Sequence, residues 1–197
     1  MGGKAIDANE VFFDNYLIPV DSLIGAEGQG FKILLHGLNA ERCLLAGEAL
    51  GLGYLAFSRA TKYAKERIVF GRAIGQNQAI QHALAAAYMN LEAAKLSKYH
   101  AAKLYDETSS STASSSNETP SHISVGAACN SAKYLAAEAG YAACERAILV
   151  HGGMGYAQDF HVERYLRESW VPRLAPVSRE MIFNFIGEKV LKLPKSY

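Results

Sequence analysis

Three long stretches of helical periodicity constrain the fold of this chain more than any other feature. From Gly28 onward, apolar residues recur at steps of three, four and seven, the spacing of one face of an α-helix. The first apolar stripe consists of Leu34, Leu38, Leu45, Ala49, Leu52 and Ala56. The second consists of Ile80, Leu84, Ala87, Leu91, Ala94 and Ala101, and the third of Val125, Ala128, Ala132, Leu135, Ala139, Ala142 and Ile148. The pattern predicts helices over residues 28–65, 77–106 and 123–149.

Turn-forming residues predict where these helices end. The first helix should stop near 69–71, where β-branched residues and glycine cluster, and the third at Gly152-Gly153, because glycine adopts positive φ readily. A shorter helix over 160–169, a break at Val171-Pro172 and a last helix over 177–191 follow. Amphipathic helices joined mostly by short turns predict an all-α fold, an antiparallel four-helix bundle.

Two segments depart from the helical pattern. Residues 9–18 form a β-type run that ends at Pro19, which predicts a short N-terminal β segment. Because a lone strand leaves its edges unpaired, it either docks on the helices or belongs to a sheet outside this chain. Residues 107–121 are rich in Ser and Thr and are expected to form a mobile loop. We therefore expect one unit at 1–27 and a helical domain at 28–197.

Charge and composition argue against several classes of protein. The chain has 20 Lys and Arg against 19 Asp and Glu, whereas a nucleic-acid-binding surface needs a basic surplus. No apolar run reaches the roughly 18 residues of a membrane span. Cys43, Cys129 and Cys144 form no C-x-x-C pair, and no Cys/His pair has zinc-ligand spacing. We expect small core cysteines, no metal site and an intracellular protein.

The carboxylate of Glu41 falls between Leu38 and Leu45 on the first apolar stripe. Such a group either lies at the edge of the stripe with its head in water or is buried and paired. Burial raises the pKa of a carboxylate toward the range that a general base needs near neutral pH. Glu41 is therefore either a structural ion-pair partner or a catalytic base, and the spacing alone does not rank it above Glu48, seven residues further on the same face.

A basic cluster surrounds the end of the first predicted helix. It consists of Lys62, Lys65, Arg67 and Arg72. These cations either interact favourably with the helix dipole or contact a phosphate group, for which arginine is well suited. The later run Gly152-Gly153-Met154-Gly155 lacks the spacing of a dinucleotide fingerprint and is read from spacing alone as a helix stop.

Several motifs, taken in order, resemble the C-terminal domain of the acyl-CoA dehydrogenases, a flavoprotein family. They are Gly28-Gln29-Gly30-Phe31, Glu41-Arg42, the stretches 63–71 and 77–80, His151-Gly152-Gly153-Met154-Gly155-Tyr156 and the stretch 162–168. Residues 9–19 resemble the last part of the middle β-domain of this family. Members are much longer chains, so the resemblance implies a fragment that lacks the N-terminal helical domain and most of the β-domain.

The resemblance also implies a reaction and a base for it. In this family a glutamate removes the α-proton of an acyl-CoA thioester while a hydride passes from the β-carbon to the flavin. Most members carry that glutamate in the loop before the last helix, where this chain has Pro176, which cannot act as a base. A minority, including isovaleryl- and long-chain-type enzymes, carry it on the first long helix directly before an arginine. Glu41-Arg42 matches that arrangement, which makes Glu41 the expected base and leaves Glu48 a structural role.

Further positions carry over from the family. Asn39 and Arg42 match positions on the acyl-CoA side, and Leu149 stands where many members have a flavin-binding glutamine. Positions that match contacts to FAD are Arg67, Phe70, Gln78, Gly152, Gly153 and Ser178. The resemblance implies FAD, an electron-transfer flavoprotein as electron acceptor, a homo-oligomer built as a dimer of dimers and, in a eukaryote, a mitochondrial location. The alternative is a catalytically incompetent fragment that acts only as a helical oligomerisation module.

Overall fold

Three long helices dominate the computed structural model, which describes residues 1–7, 9–109 and 121–195. They are α1 (Gly30–Glu66), α2 (Gln78–Ser109) and α3 (His122–His151). Three short helices follow: α4 (Val162–Glu168), α5 (Val171–Leu174) and α6 (Arg179–Phe185), the last continued by a π-helical turn, Ile186–Val190. Strands β1 (Ile68–Val69) and β2 (Arg72–Ala73) pair antiparallel between α1 and α2. The predicted all-α bundle is confirmed.

Local sequence explains where the long helices begin and end. After α1, Phe70 and Gly71 both have positive φ, 53° and 79°, and make the tight turn of the β1–β2 hairpin. The Ser121 side chain caps α3 by accepting a hydrogen bond from the backbone N–H of Ser124 at 3.1 Å. Gly152 ends α3 with a φ of 59°. The predicted break at Val171-Pro172 is wrong, because proline is tolerated in the first turn of a helix and α5 begins there.

The core is built mainly from small side chains, with α3 packed against both α1 and α2. Two glycines mark the closest approach. A Cβ atom added to Gly53 of α1 would lie 2.9 Å from the Cα of Gly140 in α3, and one added to Gly140 would overlap the carbonyl oxygen of Ala49. Alanine and glycine therefore let the backbones of α1 and α3 approach closely.

The buried face of α1 matches the predicted first apolar stripe only at Ala49 and Ala56. Its buried positions are Arg42, Ala46, Ala49, Leu50, Gly53, Ala56, Ala60 and Ala64. Leu34 is 57% exposed, and Leu38, Leu45 and Leu52 are only partly buried. The reason is that this contact is made at backbone distance, where small residues fit and leucines are displaced to its edges.

The N-terminal segment differs from the prediction. Residues 9–18, all described, form no strand, and the first regular element is a 3₁₀ turn at Val20–Ser22. Its large apolar side chains are exposed: Val11, Phe12, Phe13, Tyr16, Leu17 and Ile18. The chain start is held on α4 instead, where the Gly3 N–H donates to the Glu168 carboxylate at 2.8 Å. Of the predicted loop, residues 107–109 belong to α2 and 110–120 lie outside the described residues.

The described residues also bear on two exclusions. None of their helices is both long enough and apolar enough to cross a membrane. In the same part of the chain, no group of three or more His, Cys, Asp or Glu side chains could hold a metal ion. Cys43, Cys129 and Cys144 are all free thiols.

Candidate active site

A cavity of about 590 Å³ opens between the first turns of α1, the first turns of α3 and the end of α6. We call it the Arg42 cavity. Its lining residues are Gln29, Lys32, Ile33, Leu35, Asn39, Arg42, His122, Gly126, Asn130 and Phe185. The two residues predicted to face acyl-CoA, Asn39 and Arg42, are thus brought together in one cavity with a largely apolar wall.

Polar groups at the base of this cavity are incompletely paired. Arg42 is only 7% exposed, and its Nη1 donates a hydrogen bond to Asn39 Oδ1 at 2.8 Å. Within the described residues, neither Arg42 Nε nor Asn130 Oδ1 has a hydrogen-bond partner, although both atoms are buried. Burial lowers the pKa of Arg42, while the neighbouring Cys129 and Glu41 act to raise it. Unpaired buried polar atoms are rare in folded proteins, so this pair suits a polar ligand group.

Glu41 lies beside this cavity but not where the stripe predicted. Its side chain is exposed, and so is that of Glu48. Successive residues are about 100° apart around a helix, so the residue next to buried Arg42 points away from the α1–α3 contact. The placement of Glu41 on the apolar face is therefore wrong, the alternative of a head group in water is the one observed, and the catalytic role of Glu41 remains a prediction.

A loop that holds Pro176 is fixed to α3 at both ends. At its start, Arg173 forms an ion pair with Glu138 through hydrogen bonds of 2.9 and 3.2 Å. At its end, Lys133 Nζ donates to the carbonyl oxygen of Val177 at 2.7 Å. Lys133 is 1% exposed, and burial, assisted by the positive charge of Arg42, lowers its pKa to about 8. The loop is thus held rigidly, although its proline supplies no acid–base group.

The Ser178 side chain ends this loop by capping α6. Its Oγ accepts a hydrogen bond from the backbone N–H of Met181 at 3.4 Å. Lys133 was not predicted from the sequence, although a lysine directly after Ala132 in the third apolar stripe was a usable signal.

A second cavity, of about 560 Å³, lies at the far end of α3. We call it the Gly152 cavity. Its lining residues are Tyr63, Arg67, Val69, Ile74, Asn77, Ile80, Leu149, Val150, His151, Gly152, Gly153 and Met154. Three of the predicted cofactor residues, Arg67, Gly152 and Gly153, therefore meet here, together with Leu149.

The floor of the Gly152 cavity is aromatic. The His151 ring stacks on Tyr63 with 4.3 Å between ring centroids, and Phe160 packs edge-on against both rings. His151 Nδ1 lies 2.7 Å from the carbonyl oxygen of Ala147, so Nδ1 carries the hydrogen and donates. Burial lowers the pKa of His151, which favours the neutral ring at pH 7.

These features fit a dinucleotide, which needs a cation for phosphate, open backbone and flat apolar surface. Arg67 supplies the cation, and a Cβ added to Gly152 or Gly153 would meet no atom within 4 Å, so the backbone there is open. Phe70 at the hairpin tip is 100% exposed, and Gln78 is exposed at the start of α2. Phe70, Gln78 and Ser178 do not line the Gly152 cavity, and the two cavities share no described lining residue.

Comparison with known proteins adds independent information. The family model for the acyl-CoA dehydrogenase C-terminal domain matches residues 28–191. An acyl-CoA dehydrogenase of Mycobacterium tuberculosis is 38% identical over 188 residues, which cover 95% of this chain and 45% of that relative. The chain thus spans less than half the length of this relative.

Two solved structures share the fold. Glutaryl-coenzyme A dehydrogenase in complex with glutaryl-CoA superposes with a TM-score of 0.81 and 29% identity, covering 94% of this chain and 44% of that one. A chain from a structure described as the electron transferring flavoprotein of Acidaminococcus fermentans has a TM-score of 0.81 and 31% identity, covering 91% of this chain and 44% of that one.

Proposed function

The chain belongs to the acyl-CoA dehydrogenase family, and we propose that it is the helical, substrate-facing part of an enzyme that oxidises an acyl-CoA thioester at its α and β carbons. The observation that carries this proposal is the Arg42 cavity. Within the described part of the chain, the buried Arg42 Nε and Asn130 Oδ1 have no hydrogen-bond partner there, and the exposed carboxylate of Glu41 directly precedes Arg42 in sequence.

Glu41 is the base that we assign to the α-proton. It directly precedes Arg42, and the loop before α6 offers proline at position 176 instead of a carboxylate. An exposed carboxylate is a weak base in water and becomes stronger when a ligand or a covering domain excludes water from it. We therefore expect Glu41 to be covered in the active assembly.

Arg42 and Asn39 are the groups that we assign to the thioester side. Their mutual hydrogen bond fixes the guanidinium, and Arg42 Nε, which has no partner among the described residues, can donate to a ligand. A buried, oriented cation stabilises negative charge that develops as the α-proton leaves, and it does so without reorganising at that moment. The apolar wall formed by Ile33, Leu35 and Phe185 suits hydrocarbon.

FAD is the cofactor that we propose, and when bound it accepts the hydride from the β-carbon. Arg67 and the open backbone of Gly152 and Gly153 would hold its phosphate-bearing end. Phe70 and Gln78 are exposed and do not line the Gly152 cavity. Their exposure supports contact with a flavin bound mainly by another subunit, and hence a homo-oligomer.

Ser178, which caps α6, is the remaining residue that we assign to the flavin. As electron acceptor we propose an electron-transfer flavoprotein, and as location the cell interior, mitochondrial if the source is eukaryotic. The free state of all three cysteines agrees with a reducing compartment.

Substitution of Glu41 tests the base in the flavin-loaded, full-length protein. Glu41→Gln should lower the rate at which an acyl-CoA thioester bleaches the flavin by about 100-fold or more, in the range expected for general-base catalysis. Glu48→Gln is the matched control, an exposed glutamate on the same helix, and should leave the rate unchanged. A loss of less than about tenfold for Glu41→Gln, or about 1.4 kcal/mol, would remove Glu41 from the mechanism.

A helical oligomerisation module is the second candidate function. Large apolar side chains are exposed on α1 and α2, namely Leu44, Leu55, Met89, Leu96 and Tyr99, which favours association with other copies or domains. Absorbance near the flavin band of the purified 197-residue chain separates the two candidates. A colourless oligomer that takes up no added FAD supports the module, and a yellow protein defeats it.

A further inference from the structure

Two cysteines face each other across the α1–α3 contact. The Sγ atoms of Cys43 and Cys129 lie 3.7 Å apart, within hydrogen-bond distance for thiols. Cys129 is fully buried, whereas Cys43 is only partly buried. The pair packs into a small apolar cluster with Ala101, Val125 and Ala132.

We propose that Cys43 and Cys129 form an oxidation-sensitive dithiol, which hydrogen peroxide converts to a disulfide that links α1 to α3. The sulfurs would have to approach from 3.7 Å to the roughly 2.0 Å of a disulfide bond. Nothing in the proposed acyl-CoA chemistry uses either thiol, so the inference goes beyond the proposed function.

Cys43 is the thiol that reacts first, because solvent reaches it and does not reach Cys129. The hydrogen bond between the two thiols, with help from the positive charges of Lys98 and Arg42, lowers the pKa of Cys43. The same hydrogen bond, together with burial, raises the pKa of Cys129. The reactive form of cysteine is the thiolate, so the half-exposed partner is also the more nucleophilic one.

The oxidation of the two thiols by hydrogen peroxide proceeds in two steps. The Cys43 thiolate attacks one oxygen of hydrogen peroxide, the O–O bond breaks, and a sulfenic acid forms with release of hydroxide, which becomes water on protonation. The Cys129 sulfur then attacks the Cys43 sulfur, the S–O bond breaks, and the hydroxyl leaves as water with the Cys129 proton. Two thiols are oxidised to one disulfide while one peroxide is reduced to two waters.

The proposed disulfide would form close in sequence to the Arg42 cavity. Cys43 directly follows Arg42, and Cys129 directly precedes Asn130, both of which line the Arg42 cavity. A disulfide here would lock α1 to α3 one residue away from two residues that line the cavity.

Cys144 is an internal control. It is fully buried in a different apolar cluster, and its Sγ lies 3.8 Å from the carbonyl oxygen of Leu52. Burial raises the pKa of Cys144 to about 12, so it should react slowly with peroxide and remain reduced.

The test is peroxide treatment of the native chain, alkylation of remaining thiols under denaturing conditions, and peptide mapping by mass spectrometry. We expect two of the three thiols to disappear, a linked peptide pair containing Cys43 and Cys129, and alkylated Cys144, with all thiols restored by dithiothreitol. Full alkylation of all three cysteines, irreversible oxidation of Cys43 without a link, or a disulfide that includes Cys144 would overturn the proposal.

Two controls sharpen the result. Peroxide applied to the urea-unfolded chain should abolish the preference for Cys129 as the partner of Cys43, and an unchanged preference would mean that the folded geometry is not responsible. Cys129→Ala should stop the reaction at a sulfenic acid on Cys43, trapped by dimedone. Reversible loss of two thiols in that variant would contradict the assigned pair.

Discussion

The buried lysine of α3 gives a quantitative prediction about stability and pH. Lys133 is protonated at pH 7 in both the folded and the unfolded chain, because its pKa is about 8 when folded and 10.5 as its ordinary value. The folded state therefore holds a charge that is partly stripped of water, opposed by one hydrogen bond to Val177. Between pH 8 and 10.5 the folded chain releases this proton while the unfolded chain keeps it.

The sign and size of the effect follow from that difference. Since the unfolded state binds more protons in this window, Lys133 makes stability rise with pH. The separation of the two pKa values, at about 1.4 kcal/mol for each pH unit, corresponds to about 3 kcal/mol by pH 10.5. Lys133→Met cannot release a proton, so this rise should be missing from the variant.

The assay is urea unfolding followed by helical circular dichroism, with dithiothreitol present, at several pH values from 7 to 10.5. The quantity to follow is the free energy of unfolding of the wild type minus that of Lys133→Met. The cysteines and tyrosines titrate in both proteins, so their contributions cancel in this difference. This difference should grow by about 3 kcal/mol in favour of the wild type. Lys103→Met is the matched control, since Lys103 has a 75% exposed side chain on α2, and its difference should stay flat. If the difference between wild type and Lys133→Met stays constant within about 0.5 kcal/mol from pH 7 to 10.5, burial does not lower the pKa of Lys133.

Two further predictions concern the close packing around α3. Gly140→Ala should destabilise the chain by about 1–3 kcal/mol in the same unfolding assay, because its Cβ would overlap the Ala49 carbonyl. Gly47→Ala is the control: its Cβ would meet no atom within 4 Å in mid-helix, so it should stabilise the chain by about 0.5–1 kcal/mol. Equal effects of the two substitutions would contradict close packing at Gly140. Arg173→Met should lower the thermal unfolding midpoint more than Glu138→Gln. The reason is that the Arg173 side chain is the more buried member of their ion pair and also covers two aromatic rings. The reverse order would show that the ion pair, and not the packing of Arg173 on these rings, fixes the loop.

The sequence predicted the helices well because the spacing of apolar residues and the positions of turn-forming residues agreed. In α2 the apolar stripe and the buried face coincide, with Ala87, Leu91, Ala94 and Ala101 all buried. In α1 they coincide only at Ala49 and Ala56, because the contact with α3 is made by Ala and Gly at backbone distance. A hydrophobicity pattern weights leucine above alanine. The predicted face therefore followed the leucines and left out Arg42, which is buried.

The candidate site was predictable in its membership but not in its grouping. Motif resemblance identified Asn39 and Arg42, which do share a cavity, and Arg67, Gly152 and Gly153, which share another. Spacing could not show that Arg42 is buried and Glu41 exposed, since that depends on which face α3 covers. The absence of a strand over residues 9–18 was not predictable from those residues alone, because a strand needs a partner strand and the described residues provide none for this segment.

Hydrogen exchange at the α-carbon shows whether Glu41 is the base that removes the α-proton. The probe is an acyl-CoA thioester with α-hydrogens but no β-hydrogen, incubated with the flavin-loaded protein in D₂O and followed by mass spectrometry, so that oxidation cannot intervene. If Glu41 is the base, the α-carbon should take up deuterium with the wild type and with Glu48→Gln, and the uptake rate should fall by about 100-fold or more with Glu41→Gln. Uptake at the wild-type rate in Glu41→Gln would show that another group is the base.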